Sequence, residues 1–192
     1  GTTALVLILS VFNGFEDIVL KMYNSFDSDL KITSVTGKNF PKEDISKVLA
    51  SHDQDSFKSS FILEEKTLLK YKNREYIAIL KGVDESYNDM MLFDSLLIQG
   101  EYLDKFQIEG SAVLGNGVAF HLSSVVGSVF DQIKLYIPNR ESEHLLNPNT
   151  SFLTSKIIPV GIFSVQADID NTYIITSLDF MQKLLNKDNI VS

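Results

Sequence analysis

Residues 4–27 read ALVLILSVFNGFEDIVLKMYNSFD, and the chain is organised around them. Ala4, Leu5, Val6, Leu7, Ile8, Leu9, Val11 and Phe12 form an apolar run that only Ser10 interrupts. After Asn13 and Gly14 the pattern narrows. Phe15, Ile18, Val19, Met22 and Phe26 recur at helical spacing, with Glu16, Asp17, Lys21 and Asn24 on the other faces. The segment is therefore apolar on every side for about two turns and one-sided for about three more. A single helix that leaves a lipid phase and enters water has this pattern. The run falls short of the ~20 apolar residues that a bilayer span needs. The expectation is thus the outer end of a membrane helix, continuing as an amphipathic stem. Composition alone leaves a buried core helix open as an alternative. A signal peptide fits poorly, because no basic residue precedes the run and no small-x-small pattern precedes Glu16.

The rest of the chain has an ordinary globular balance, with 44% apolar and 22% charged residues among 192. A net charge of −8 disfavours nucleic acid as a partner, since a phosphate backbone is held by clustered Lys and Arg. The densest basic group, Lys66, Lys70, Lys72 and Arg74, reads as a solvated strand face. Cysteine is absent, which excludes disulfide staples, thiol catalysis and thiolate metal sites.

In chain order, Asp29–Thr36 alternates with β-branched residues and predicts a strand. Pro41, Glu43 and Asp44 then start a helix with Ile45, Val48 and Leu49 as its stripe. Residues 57–83 predict two strands joined at Lys72–Glu75. Met90 and Met91 lie in a short helix or irregular stretch before Gly100 and read as core filling. Ser111–Gly115 is a strand, Asn116–Ser124 a helix, and Phe130–Ile137 a strand stopped by Pro138. Asn139–Lys156 has no apolar period and holds Asn147-Pro148-Asn149, a strong turn signal, so it is expected to project from the body. Ile157–Val165 and Tyr173–Ile175 are strands, Ser177 caps a helix, and Ile190–Val191 begins another strand. A strand-helix-hairpin unit followed by a strand-helix-strand unit predicts an α+β fold with two mixed sheets, each backed by helices on one face.

No catalytic set emerges. Gly115-Asn116-Gly117 follows a strand and opens a helix, but Phe120 stands where a dinucleotide loop has its third glycine. A P-loop and a GxSxG elbow are absent. His52, His121 and His144 have no second histidine at ligand spacing. Asp168 and Asp170 lack the downstream pattern of a calcium loop. Glu64 and Glu65 are strand neighbours and point to opposite faces, so they make a poor acid/base pair. The residues predict no metal site and no cofactor in this chain.

SVFNGFE at 10–16, KGVD at 81–84, SAVLGNGVAFHL at 111–122, VGSVFDQIKLYIP at 126–138 and VGIFSVQADIDNTYIITSLDFMQKLL at 160–185 occur in an order and spacing that resemble a known family. It is the extracytoplasmic, MacB-like periplasmic core domain of lipoprotein-releasing ABC transporter permeases, and the resemblance covers essentially the whole chain. It implies a stem over 1–28, the first half of a Porter-like subdomain over 29–88 and a Sabre-like subdomain over 89–192. Leu5, Leu7, Leu9, Phe12 and Phe15 would then be membrane-proximal. The implied role is non-enzymatic: coupling ATP-driven movement of membrane helices to extraction or hand-over of a substrate, in the periplasm at the inner membrane. ATP would be bound by a separate ATPase component, and a second permease subunit would pair through the membrane domain. A lipoprotein and a periplasmic carrier are the further implied partners. A hairpin that contacts the carrier in one of two permease subunits would fall in 139–156, which places Asn147, Pro148, Asn149 and Phe152 at a partner contact. The tip here reads NPNTSF, not the Pro-Met-Gly-Arg type, so the resemblance leaves open which subunit this is. From the residues alone, a soluble α+β ligand-binding or hydrolase domain with a buried N-terminal helix is the competing reading, and a tethered structural or adhesive domain is a third.

Overall fold

The structure, a computed structural model, describes residues 2–24, 30–35, 37–50, 58–105, 108–127, 130–139 and 151–192, with side-chain surroundings for all of these except 13, 16–24, 50 and 104. The opening stretch forms one uninterrupted helix, α1 (Thr2–Asn24), straight through Asn13 and Gly14. Then come β1 (Phe40–Pro41), α2 (Lys42–Ala50), β2 (Ile62–Tyr71), β3 (Arg74–Val83), α3 (Ser86–Met91), a 3-10 turn at Phe93–Leu96 and β4 (Leu97–Gly100). A second 3-10 turn at Leu103–Lys105 leads to β5 (Ser111–Gly115), α4 (Asn116–Leu122), β6 (Ile133–Pro138), β7 (Phe152–Phe163), α5 (Ala167–Asp170), β8 (Tyr173–Ser177), α6 (Leu178–Leu185) and β9 (Ile190–Val191).

The α+β class holds, but the strands divide differently from the expected two sheets. Seven strands form one mixed sheet in the order β4-β7-β5-β8-β3-β2-β6, and among the described residues β1 pairs only with β9. The β2–β3 hairpin therefore belongs with the later strands: β3 runs parallel to β8 from Ile79↔Tyr173 to Val83↔Ser177, and β2 pairs with β6 at Leu68–Lys70. A cut near residue 88 would pass through this sheet.

The sheet also closes. β6 pairs with β7 from Ile133↔Ile157 to Pro138↔Phe152. Asn139 N–H donates to the Ser151 carbonyl, so by alternation the odd-numbered residues 151–157 turn their backbone groups toward β6. Ile158 N–H instead donates to the Gly110 carbonyl, on the β5 side. β5 and β6 thus hold opposite edges of β7, and β7-β5-β8-β3-β2-β6 forms a ring.

Each face of the sheet carries its own core. Leu69, Leu80, Leu114, Leu135, Ile157 and Ile174 pack with Val118 and Leu122 of α4 and with Leu178, Met181 and Leu185 of α6. On the other face Val83, Val113, Val160 and Ile175 are covered by Tyr87 and Met91 of α3 and by Phe93 and Tyr102. Phe93 is the hub there, with ring centroids 5.9 Å from Tyr87, 5.4 Å from Tyr102 and 5.1 Å from Phe163. Met91 is core filling, as its pattern suggested. Ser177 Oγ accepts the Phe180 N–H at 3.3 Å, the expected cap of α6.

The strand expected at Asp29–Thr36 does not form: residues 30–35 are irregular. The edges of β2 are already taken. β3 occupies one side along its full length, and β6 takes the other at Leu68–Lys70. At the start of that second edge, Ser192 donates its N–H to the Ile62 carbonyl (2.9 Å), and its Oγ accepts the Glu64 N–H (3.0 Å). The 30–38 segment is held near β2 by charge instead, with Lys31 3.7 Å from Glu64 and Lys38 2.8 Å from Glu65.

Candidate functional site

α1 presents the feature that most needs a partner. Leu5, Val6, Leu7, Ile8, Leu9, Val11, Phe12 and Phe15 are each between 54% and 70% exposed. Because consecutive residues point about 100° apart, this exposure runs all round the helix and is no stripe. The first charged residue is Glu16. Covering eight such side chains would contribute on the order of 10 kcal/mol, from ~1.5–3 kcal/mol per fully buried residue. A buried core helix, the competing reading of this stretch, is overturned by that exposure. Phe15, where the apolar pattern narrows to one side, is exposed as well. The side chains of Ile18, Val19 and Met22 and the whole of Phe26 lie outside the description. Among the described residues no helix is long and apolar enough to cross a membrane.

The second candidate region is the β6–β7 hairpin. Its two strands stay paired out to Pro138↔Phe152. Asn147, Pro148 and Asn149 lie outside the described residues, as do Leu145 and Leu146, so the expected projection of 139–154 is described only at its base. Phe152 is there, 45% exposed, at the first pair of the ladder. β7 begins five residues earlier than Ile157, where the apolar period starts, because Phe152–Lys156 is held by β6 with only a half-buried inner row.

The residues weighed for chemistry are accounted for by packing. Gly115 and Gly117 bring α4 against α5: a Cβ on Gly115 would lie 2.3 Å from the Asp170 carbonyl oxygen, and one on Gly117 would meet the Asn171 side chain. They are close-approach glycines, not a phosphate loop. Asp170, buried, accepts from Ser164 Oγ at 2.7 Å and from the Val165 N–H at 2.8 Å, which fixes the turn after β7. Asp168 is exposed and does not join it. His121 is exposed and stacks on Tyr76 at 4.8 Å, while His52 and His144 lie outside the described residues. Glu64 and Glu65 do face opposite ways, Glu64 toward the buried Lys81 (3.6 Å) and Glu65 toward Lys38. In the basic group, Glu75 accepts a hydrogen bond from Lys70 at 2.7 Å and holds its ammonium above the ordinary lysine pKa. Among the described residues no three of His, Asp and Glu are grouped to hold a metal ion. The ring closure and the switch of β7 from one partner to another were missed by sequence reasoning. Pro159 and Gly161 within an apolar run were their only signal.

No protein-family model matches the chain, and no curated protein matches it in sequence. Solved structures do. The extracellular domain of the noncanonic ABC-type transporter YknZ from Gram-positive bacteria aligns at a TM-score of 0.52 and 13% identity, over 80% of this chain and 73% of that one. The periplasmic region of MacB from Actinobacillus actinomycetemcomitans aligns at 0.52 and 13% identity, over 82% of this chain and 64% of that one. At such identities the likeness concerns the fold alone: this chain shares the fold of the extracellular and periplasmic domains of those two transporters.

Proposed function

We propose that this chain is the periplasmic domain of an ABC transporter permease of the lipoprotein-releasing, MacB-like group. The observation that carries the reading is the apolar collar of α1, exposed on all sides in a chain with this fold. In this reading the collar lies in lipid at the inner membrane, and α1 is the stem that transmits membrane-helix movement to the ring. Residues 1–28 are that stem. Residues 29–88 stand for the first half of the Porter-like part and residues 89–192 for the Sabre-like part, with β2 and β3 of the former joined to the sheet of the latter. The domain performs no chemistry itself. ATP is hydrolysed by a cognate ATPase, a second permease subunit pairs through the membrane domain, and the β6–β7 hairpin, with Asn147, Pro148, Asn149 and Phe152, faces the substrate lipoprotein or its periplasmic carrier.

These 192 residues contain no cysteine, so in a transporter whose remaining cysteines are replaced by serine an introduced thiol is the one that labels. Single cysteines replace Leu7 and Lys134 in the membrane-embedded transporter, and a membrane-impermeant maleimide is added from the periplasmic side. Lys134→Cys should label fully, whereas Leu7→Cys should label only after detergent. Rapid labelling of Leu7→Cys in intact membranes would defeat the proposal.

A further inference from the structure

The ring has a gap, and the gap is lined by an open strand edge. β5 begins at Ser111, opposite Ile158, so it covers only the second half of β7 on its side. In the first half, odd residues spend their backbone groups on β6. Even residues Phe152, Thr154 and Lys156 turn theirs to the β5 side, where among the described residues no strand pairs with them; Gly110 closes that edge at the Lys156 carbonyl, which a Cβ on Gly110 would approach to 2.8 Å, so the open stretch is Phe152 to Thr154. Beside this edge lies a groove of about 640 Å³ whose other wall is α6, with Phe180 and Leu184 as its apolar floor and Lys183 on its rim. Lys183 is bound to Glu109 at 3.0 Å. On the opposite, solvent side of β7, Lys156 lies directly across from Lys134 of β6, and neither meets a carboxylate among the described residues.

We infer that this edge is a docking site for an extended segment of a partner protein, added as a strand to β7 with apolar side chains facing α6 and acidic side chains facing outward. Unpaired main-chain donors and acceptors in alternation are matched by another polypeptide backbone and by little else. Period 2 then sets the side chains. Those on the groove side meet Phe180 and Leu184, and those on the solvent side lie next to Thr154 and Lys156, with Lys134 one strand further. The lysine pair selects carboxylates, on a chain whose overall charge of −8 would otherwise repel them. The inference stands on the strand register and does not need the transporter reading.

The edge can be tested before any partner is known. By amide exchange on the full chain, the Thr154 N–H should exchange at least about a hundredfold faster than the neighbouring Leu153 and Ser155 N–H groups, which are bonded to β6. The probe for docking is the blocked peptide acetyl-Glu-Val-Glu-Val-Glu-amide, followed by NMR. It should protect the Thr154 amide and shift residues of β7 and α6. A version N-methylated at alternate residues should not bind, and Lys134→Glu with Lys156→Glu should weaken binding by roughly tenfold or more. Thr154→Pro removes only the outward N–H, because its ladder position faces away from β6, and should abolish binding without unfolding the hairpin. A Thr154 amide already protected in the dilute chain would overturn the inference, since the edge would not be open. Protection that appears only with rising protein concentration would also overturn it, by assigning the edge to a second copy. Equal binding of the N-methylated peptide would do so too, and it needs no variant to fold.

Discussion

Removal of residues 2–12 tests the stem directly. The deletion takes away Leu5, Val6, Leu7, Ile8, Leu9, Val11 and Phe12, all more than half exposed, and no buried side chain. Substitutions on such surfaces change stability by about 0.5 kcal/mol or less. At ~2–4 °C per kcal/mol for a chain of this size, the melting temperature should move by no more than about 2 °C. Were the same seven residues a core helix, their burial would contribute ~1.5–3 kcal/mol each, and the shortened chain would not fold at all. Calorimetry of both forms measures the difference. Sedimentation supplies the second reading, because the collar should drive self-association or detergent binding that the shortened chain lacks. A fall of more than about 5 °C, or unchanged self-association, would refute the argument.

Three further outcomes follow from close contacts. Gly82→Ala places a Cβ 2.5 Å from Cγ and 2.8 Å from Cβ of Met181, and 3.3 Å from the Leu178 Cα; α6 must shift, and chemical denaturation should show a loss of about 1–3 kcal/mol. Gly115→Ala meets the Asp170 carbonyl, which cannot swing aside, whereas Gly117→Ala meets chiefly the Asn171 side chain; adding Asn171→Ala should recover part of the Gly117→Ala loss in thermal melts and none of the Gly115→Ala loss. Asp170→Ala leaves the Ser164 hydroxyl and the buried Val165 N–H without their acceptor; a loss of about 2 kcal/mol is expected, and a neutral result would show that water replaces the carboxylate.

What was legible in the sequence was local. Ser111–Gly115 reads as a strand because five residues buried on both faces leave no room for polar alternation, and it has those bounds. The continuity of α1 through Gly14 and the exposure of its first turns were legible, since an all-round apolar run has only a few solutions. Phe130 shows where local reading fails. It is 93% exposed, because the inward parity of β6 passes through Ile133, Leu135 and Ile137 and reaches Asp131 instead. Asp131 then accepts the Tyr71 hydroxyl at 2.9 Å. A one-residue difference in parity moved a phenylalanine from core to solvent. The Asp29–Thr36 segment fails for a different reason: its alternation is sound, but strand formation needs a free edge, and propensity carries no information about which edges are occupied.

Ring closure depends on the same non-local accounting, and Pro159 is where it can be followed atom by atom. β7 is 12 residues long and serves β6 with its first half and β4 and β5 with its second. By parity Pro159 faces the edge that β6 holds up to Ile157 and that β4 takes over at Gly161. At that point no strand is paired on that edge, so a residue without an N–H leaves no donor unsatisfied. Its carbonyl is used by the Gly127 N–H at 3.3 Å, and the next carbonyl, of Val160, by the Glu101 N–H at 3.1 Å. Val160 is the extra residue of a bulge, since Ala112 pairs with Pro159 and Val113 with Gly161. Gly161 then admits the close passage of β4: a Cβ there would stand 2.6 Å from the Glu101 carbonyl oxygen. Proline, bulge and glycine in succession are therefore what lets one strand change partners without breaking. The open edge beside α6 has a separate origin, on the other side of the strand: β5 begins only at Ser111, opposite Ile158, so the first half of β7 has no strand neighbour there among the described residues.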